Sequence, residues 1–202
     1  MGLIEAAVAA IELGRPVVIP TDTVYGLVST PHREAPTLLI QQLKGRAAAQ
    51  PLALLASDLE ALLDCVPELR GRAELIARTL LPGPYTLVLA NPARRFPWLN
   101  GDSPLAIGVR VPELAGAAQA ILARVGAVVS TSANLHGGPS PLTLADVPEQ
   151  IRAACGAVVD GGTLPGTPST VIDFSGLEPR VLREGAAASA EAIARVVAAL
   201  AG

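Results

Sequence analysis

An α/β layered domain with a mixed β-sheet is the fold class this sequence predicts. Three features carry that reading. Helix-like and strand-like segments alternate along the chain, the pattern that lays helices over a sheet. Half of the 202 residues are hydrophobic, 16% are charged and the mean hydropathy is +0.46, so a packed core rather than disorder is the default. A chain of 20.5 kDa buries roughly 70% of its unfolded surface, which suits one domain over residues 1–202.

Residues 3–13 predict a helix, with Leu3, Ala6, Ala7, Ala10 and Ile11 at helical spacing and Gly14 as its stop. Residues 17–19 (VVI) form a short buried strand ended by Pro20. Residues 34–43 repeat the helical pattern. Residues 52–56 (LALLA) read as another buried strand, with a helix open as the alternative. Helices follow over 58–64 and 70–80, with Pro67 between them. Residues 80–90 (LLPGPYTLVLA) are a turn and a strand, and 105–111 (LAIGVRV) a strand. A helix over 113–124 leads to a strand over 127–130. A helix over 143–154 leads to a strand over 157–159. Residues 169–174 and 180–183 are two late strands, and 188–200 is an Ala-rich closing helix. The stretch 161–168 (GGTLPGTP) reads as a loop inside the domain.

Several function classes lose ground at once. No run of about 18 apolar residues is free of charges or breakers, so no membrane span is expected. The N-terminal stretch carries Glu5 and Glu12 and no basic lead, which argues against a secretory signal and for a cytoplasmic protein. A net charge of −3 and a pI near 5.4 speak against a nucleic-acid binder that uses its whole surface. Cys65 and Cys155 lie far apart with no CxxC, against a disulfide framework or a zinc site. There is no GxxxxGK[ST], hence no P-loop, and no GxGxxG, GxSxG or HExxH. His32 and His136 stand beside Pro or Gly as loop histidines.

Among 15 Lys and Arg residues, Lys44 is the single lysine. Either codon usage left one behind, or this position needs a compact ammonium rather than a planar fork. Lys44-Gly45-Arg46 ends a helix. It reads as a charged C-terminus with a Gly cap, or as a two-cation phosphate clamp. Pro20 to Leu27 (PTDTVYGL) follows a strand, as a Thr/Asp turn or as a polar mouth at a strand's carboxyl end. Ser130-Thr131-Ser132-Ala133-Asn134 is a hydroxyl-rich turn or an anion-binding one. Residues 168–173 (PSTVID) begin a strand. Arg110 sits in an apolar strand and needs an anion, from the protein or from a ligand. Arg183 raises the same question.

Taken in order, PTDTVYGL, KGR followed by PLALL, LLPGPYTLVL, GVRVP, STSAN, PSTVID and VLREG resemble the YrdC-type threonylcarbamoyl-AMP synthases, in their short single-domain form. The resemblance runs from about residue 16 to residue 185. It implies a YrdC/RibB-like fold, a twisted mixed sheet with surrounding helices and a positively lined cavity. It implies a nucleotidyltransferase that joins L-threonine, bicarbonate and ATP, with Mg²⁺, into threonylcarbamoyl-AMP and releases pyrophosphate. The product would pass to downstream threonylcarbamoyl-transfer proteins for N6-threonylcarbamoyladenosine in tRNA.

By motif, the resemblance puts Thr23, Tyr25, Arg110, Ser130 and Ser169 around threonine. It puts Lys44, Arg46, Ser132, Asn134 and Arg183 on ATP, with Lys44, Arg46 and Ser132 as the catalytic set; it names no metal ligands. Departures from the family pattern fall at Ala47 (often Pro), Gln50 (often Asn), Leu55 (His in some members), Ala106 (often Thr or Ser) and Glu184 (often Pro). The rival readings are other carbamoyl or nucleotide chemistry on the same fold, and binding of double-stranded RNA. Arg94, Arg95 and Trp98 form a polar loop, solvated or turned to RNA or a protein.

Overall fold

The computed structural model describes residues 2–45 and 50–202. The chain runs α1 (Leu3–Glu12), β1 (Val17–Pro20), β2 (Tyr25–Ser29), α2 (Glu34–Leu43), β3 (Ala53–Ala56), α3 (Leu59–Cys65), α4 (Arg72–Leu80), β4 (Tyr85–Ala90) and β5 (Ala106–Arg110). It continues α5 (Gly116–Val125), β6 (Ala127–Ser132), α6 (Glu149–Ala154), β7 (Ala157–Val158), β8 (Thr170–Asp173), β9 (Arg180–Arg183) and α7 (Ser189–Ala201). The strands form one mixed sheet in the order β7-β1-β2-β6-β3-β5-β4-β8-β9. Parallel pairs (β1·β7, β3·β5, β4·β8) are set among antiparallel ones.

The expected α/β class is what forms, with four differences of detail. Residues 25–29 are a fully buried strand, where the sequence suggested a polar mouth. The Thr/Asp turn is shorter than it looked, because Thr21 Oγ1 accepts from Val24 N–H and donates to its carbonyl, closing the turn before Tyr25. The strand at 127 runs on through Ser132, so the hydroxyls of STS lie on a strand end. The helix expected over 143–154 is split by Pro148 into a 3₁₀ turn (Leu144–Asp146) and α6. At 53–56 the strand wins over the helix, paired on both sides by β5 and β6.

The two-residue period of the strands sorts the core into two layers. Val18, Leu27, Leu54, Leu87, Val109 and Ile172 face one layer. Val17, Ile19, Val28, Leu55 and Val128 face the other, under α1 and α5. Those two helices cover only the β1-β2-β6-β3 half of their face. Over β5, β4 and β8 the same face shows Ala106, Gly108, Thr86, Val88 and Val171, and among the described residues no helix lies on it; these residues floor a cavity. The small side chains keep that floor low. Among the described residues, no helix is long and apolar enough to cross a membrane.

Candidate active site

The cavity has a volume of about 740 Å³. Lys44, Arg110, Arg180 and Arg183 bring positive charge to its lining. Among the described lining residues, Asp173 is the sole carboxylate. The geometry gathers Thr23, Lys44, Arg110, Ser130, Ser132, Asn134, Ser169 and Arg183 here from segments far apart in the chain. Arg46, and Ala47 beside it, lie outside the described residues.

Lys44 caps the C-terminus of α2, and Gly45 follows at φ +62°, the left-handed turn a glycine allows. The lysine side chain leaves its own helix. Although only 4% of the residue is exposed, Nζ donates to the carbonyl of Ser132, to that of Asn134 at 2.6 Å and to Asn134 Oδ1 at 3.0 Å. Ser132 Oγ donates to the same Oδ1 at 2.5 Å, and Asn134 Nδ2 holds the carbonyl of Gly138 at 2.5 Å. The backbone returns the contact, His136 N–H donating to the Lys44 carbonyl at 2.8 Å. Helix end and hydroxyl turn are thus one unit, and the ammonium joins them.

Arg110 closes β5 and is 8% exposed. Its Nη2 donates to Asp22 Oδ1 and, at 2.9 Å, to Thr23 Oγ1. Thr23 is fully buried, and its hydroxyl lies 3.1 Å from that of Thr21. The anion this arginine requires is therefore supplied from within the chain. Burial pushes the Arg110 guanidinium down, against the pull of Asp22, and the charge of Arg183 adds to the downward shift.

Arg183 lies opposite Val171 in the β8–β9 register. Its Nε and Nη2 donate to the Ser169 carbonyl at 3.1 and 2.8 Å, and Nη2 reaches Ser169 Oγ at 3.2 Å. Ser169 Oγ also lies 2.8 Å from Thr86 Oγ1. The chain beyond β9 passes so close that a Cβ on Gly185 would stand 2.2 Å from the Pro168 carbonyl oxygen; only glycine fits. Near the rim, Arg180 pairs with Asp173 at 2.8 Å.

One expected residue belongs elsewhere. Tyr25 is fully buried and does not line the cavity. Its ring packs in the core, while its hydroxyl donates to Asp160 Oδ1 (3.0 Å) and the Gly162 carbonyl (2.8 Å) and accepts from Gly161 N–H (2.9 Å). It ties down the 160–162 loop. Conversely, Asp173, Arg180 and His136, the last read from sequence as a loop histidine, line the cavity, and Asp22 is bonded to its Arg110, although the sequence assigns none of them to the site. Of the family departures, Leu55 and Ala106 both reach the lining.

The Arg94–Trp98 loop borders a separate shallow groove with His32, Asp64 and Cys65. Arg94 and Arg95 are exposed to solvent, yet the loop is tied down. Arg95 chelates Glu68 at 2.7–3.1 Å, Trp98 Nε1 donates to the Pro31 carbonyl at 2.8 Å, and Arg94 and Phe96 take left-handed backbone angles.

Known proteins resemble this chain in sequence and in fold. The profile of the Sua5/YciO/YrdC family, described as telomere recombination, matches residues 9–185. The threonylcarbamoyl-AMP synthase of Pyrococcus abyssi is 34% identical over 183 residues, 90% of this chain and 54% of that one. A Mycobacterium tuberculosis relative is 34% identical over 198 residues, 96% of this chain and 88% of its own. Among solved structures, P. abyssi Sua5 complexed with L-threonine superposes with a TM-score of 0.84 at 32% identity, over 96% of this chain and 57% of that one. Escherichia coli YciO superposes with a TM-score of 0.78 at 28% identity, over 95% and 92%. The chain thus spans little more than half of the archaeal protein and nearly all of the bacterial ones.

Proposed function

This chain belongs to the Sua5/YciO/YrdC family, and from that premise we propose that it makes L-threonylcarbamoyladenylate from L-threonine, bicarbonate and ATP, the activated intermediate for N6-threonylcarbamoyladenosine in tRNA. The observation that carries the reading is the cavity itself: several cations and a run of hydroxyls converge on a space large enough for a nucleotide and an amino acid, with Arg110 and Thr23 along one side and Lys44 with the 132–134 turn along another. A relative of the same fold is known with L-threonine bound.

The reaction needs no covalent enzyme intermediate. The threonine amine attacks the carbon of CO2 and sheds a proton, or attacks that of bicarbonate, whose hydroxide leaves with the amine proton as water; either route gives a carbamate. A carbamate oxygen then attacks the α-phosphorus, the bond to the bridging oxygen breaks, and pyrophosphate leaves. Both reactants are anionic, so catalysis rests on positioning and charge neutralisation. Arg110 and Thr23 orient threonine, with Ser130 and Ser169 beside them. Lys44, with Ser132, Asn134 and Arg183, offsets phosphate charge; Arg46 shares that role. Mg²⁺ would come as part of the ATP substrate and would help neutralise its phosphates; Asp173, the carboxylate at hand, is engaged by Arg180.

The test is pyrophosphate release from ATP and Mg²⁺, with threonine and bicarbonate omitted in turn, and mass detection of the adenylate. Release that requires both supports the reading. Release without threonine, or none from folded protein, overturns it.

A further inference from the structure

Asp22 is a charged group bonded to the site that none of the roles above uses. Its Oδ1 accepts from Arg110 Nη2; no other side chain bonds its buried Oδ2, although the backbone N–H groups of Asp22 and Glu113 lie near the carboxylate, and the Nε of Arg110 is buried without a partner. A full guanidinium–carboxylate fork would use two oxygens and two N–H groups. This pair uses one of each, and the second N–H of Nη2 serves Thr23 Oγ1. Arg110 and Thr23 line the cavity and Asp22 does not, so the carboxylate stands behind the guanidinium. Nη1 carries none of these bonds.

Stability does not explain such a pair. Removing two charges from water offsets most of their attraction, and apolar replacements are often as stable or more so. Burial dominates for both partners, pushing Asp22 up and Arg110 down. What the pair does fix is direction. A lone buried arginine on a strand end has several rotamers, whereas one tethered through Nη2 has its remaining edge set.

We propose that Asp22 is a positioning residue for threonine: it anchors Arg110 from behind through Nη2, leaving the Nη1 side of the guanidinium to meet the carboxylate of the amino-acid substrate. This rests on the threonine reading of the cavity.

The experiment measures threonine binding by calorimetry without ATP, and KM for threonine and ATP separately, in wild type, Asp22→Asn and Asp22→Glu. Asp22→Asn is expected to weaken threonine binding and raise its KM about 10-fold or more, the scale of one charge-assisted hydrogen bond, while KM for ATP stays within about twofold. Asp22→Glu, which keeps the charge at the wrong length, should fall between. A threonine KM that is unchanged or lower in Asp22→Asn overturns the inference, as does an equal rise for both substrates. If Asp22→Asn loses its fold, Asp22→Glu alone decides on the same split. A wild type that binds no threonine overturns the functional reading itself, a result distinct from a normal wild type with an indifferent variant.

Discussion

Lys44 and Arg110 line one cavity, but they are held in opposite ways. The oxygens brought to Lys44 Nζ by Ser132 and Asn134 are neutral. They orient the ammonium and leave its charge intact. Arg110 is held by a carboxylate, which orients it and cancels much of its charge. The first arrangement suits a strongly anionic ligand such as a polyphosphate. The second suits a single carboxylate, for which directed donors matter more than net field. The difference also explains why lysine stands at one place and arginine at the other. Three convergent acceptors match a compact ammonium, while a strand-end donor that serves a carboxylate, a hydroxyl and a ligand needs a planar fork.

The comparison breaks most visibly at Lys44. Lys44→Ala should lower kcat/KM 100-fold or more, about 3–4 kcal/mol by analogy with a lost oxyanion donor, with the far-UV spectrum retained. Lys44→Arg should recover little of it, because a planar guanidinium does not fit the same three oxygens; an active arginine variant would sink the distinction drawn here. Arg110→Ala comes next. Loss of about 1.5–3 kcal/mol should appear as a roughly 10- to 100-fold rise in the KM for threonine, with that for ATP far less affected. Matching rises in both would assign Arg110 to the scaffold. Smallest is Tyr25→Phe, which removes a hydroxyl outside the cavity. It should lower stability by about 1 kcal/mol, read as a shift of a few degrees in Tm, and leave both KM values near wild type. A selective change in threonine KM would restore Tyr25 to the binding pocket.

These outcomes bear on what the sequence made legible. Helix and strand periodicity located most elements, because α1, β3, β4 and β5 each bury a regular set of apolar positions. β2 escaped because its Tyr and Gly sit beside Thr and Asp, so local turn chemistry masked a strand that tertiary pairing with β1 and β6 makes. The family motifs pointed to Thr23, Lys44, Arg110 and Arg183, which the fold brings to one cavity. Tyr25 looked like its neighbour Thr23, two residues earlier, yet its ring lies in the core and its hydroxyl reaches the 160–162 loop. Asp22 gave no signal, since its partner is 88 residues away and an Asp in a Thr-rich turn is ordinarily explained by the turn. Asp173 and Arg180 were hidden similarly, one as a strand end and the other as a surface cation.

The solitary lysine has a practical corollary. Among the side chains of this sequence, amine-directed reagents find one target, and that ε-amine lies within the cavity. Reductive methylation with ¹³C-formaldehyde would therefore place a single side-chain reporter in the molecule. Its resonance would follow what enters the cavity without any engineered label, and its rate of modification would measure how often Nζ lets go of the Ser132 and Asn134 oxygens.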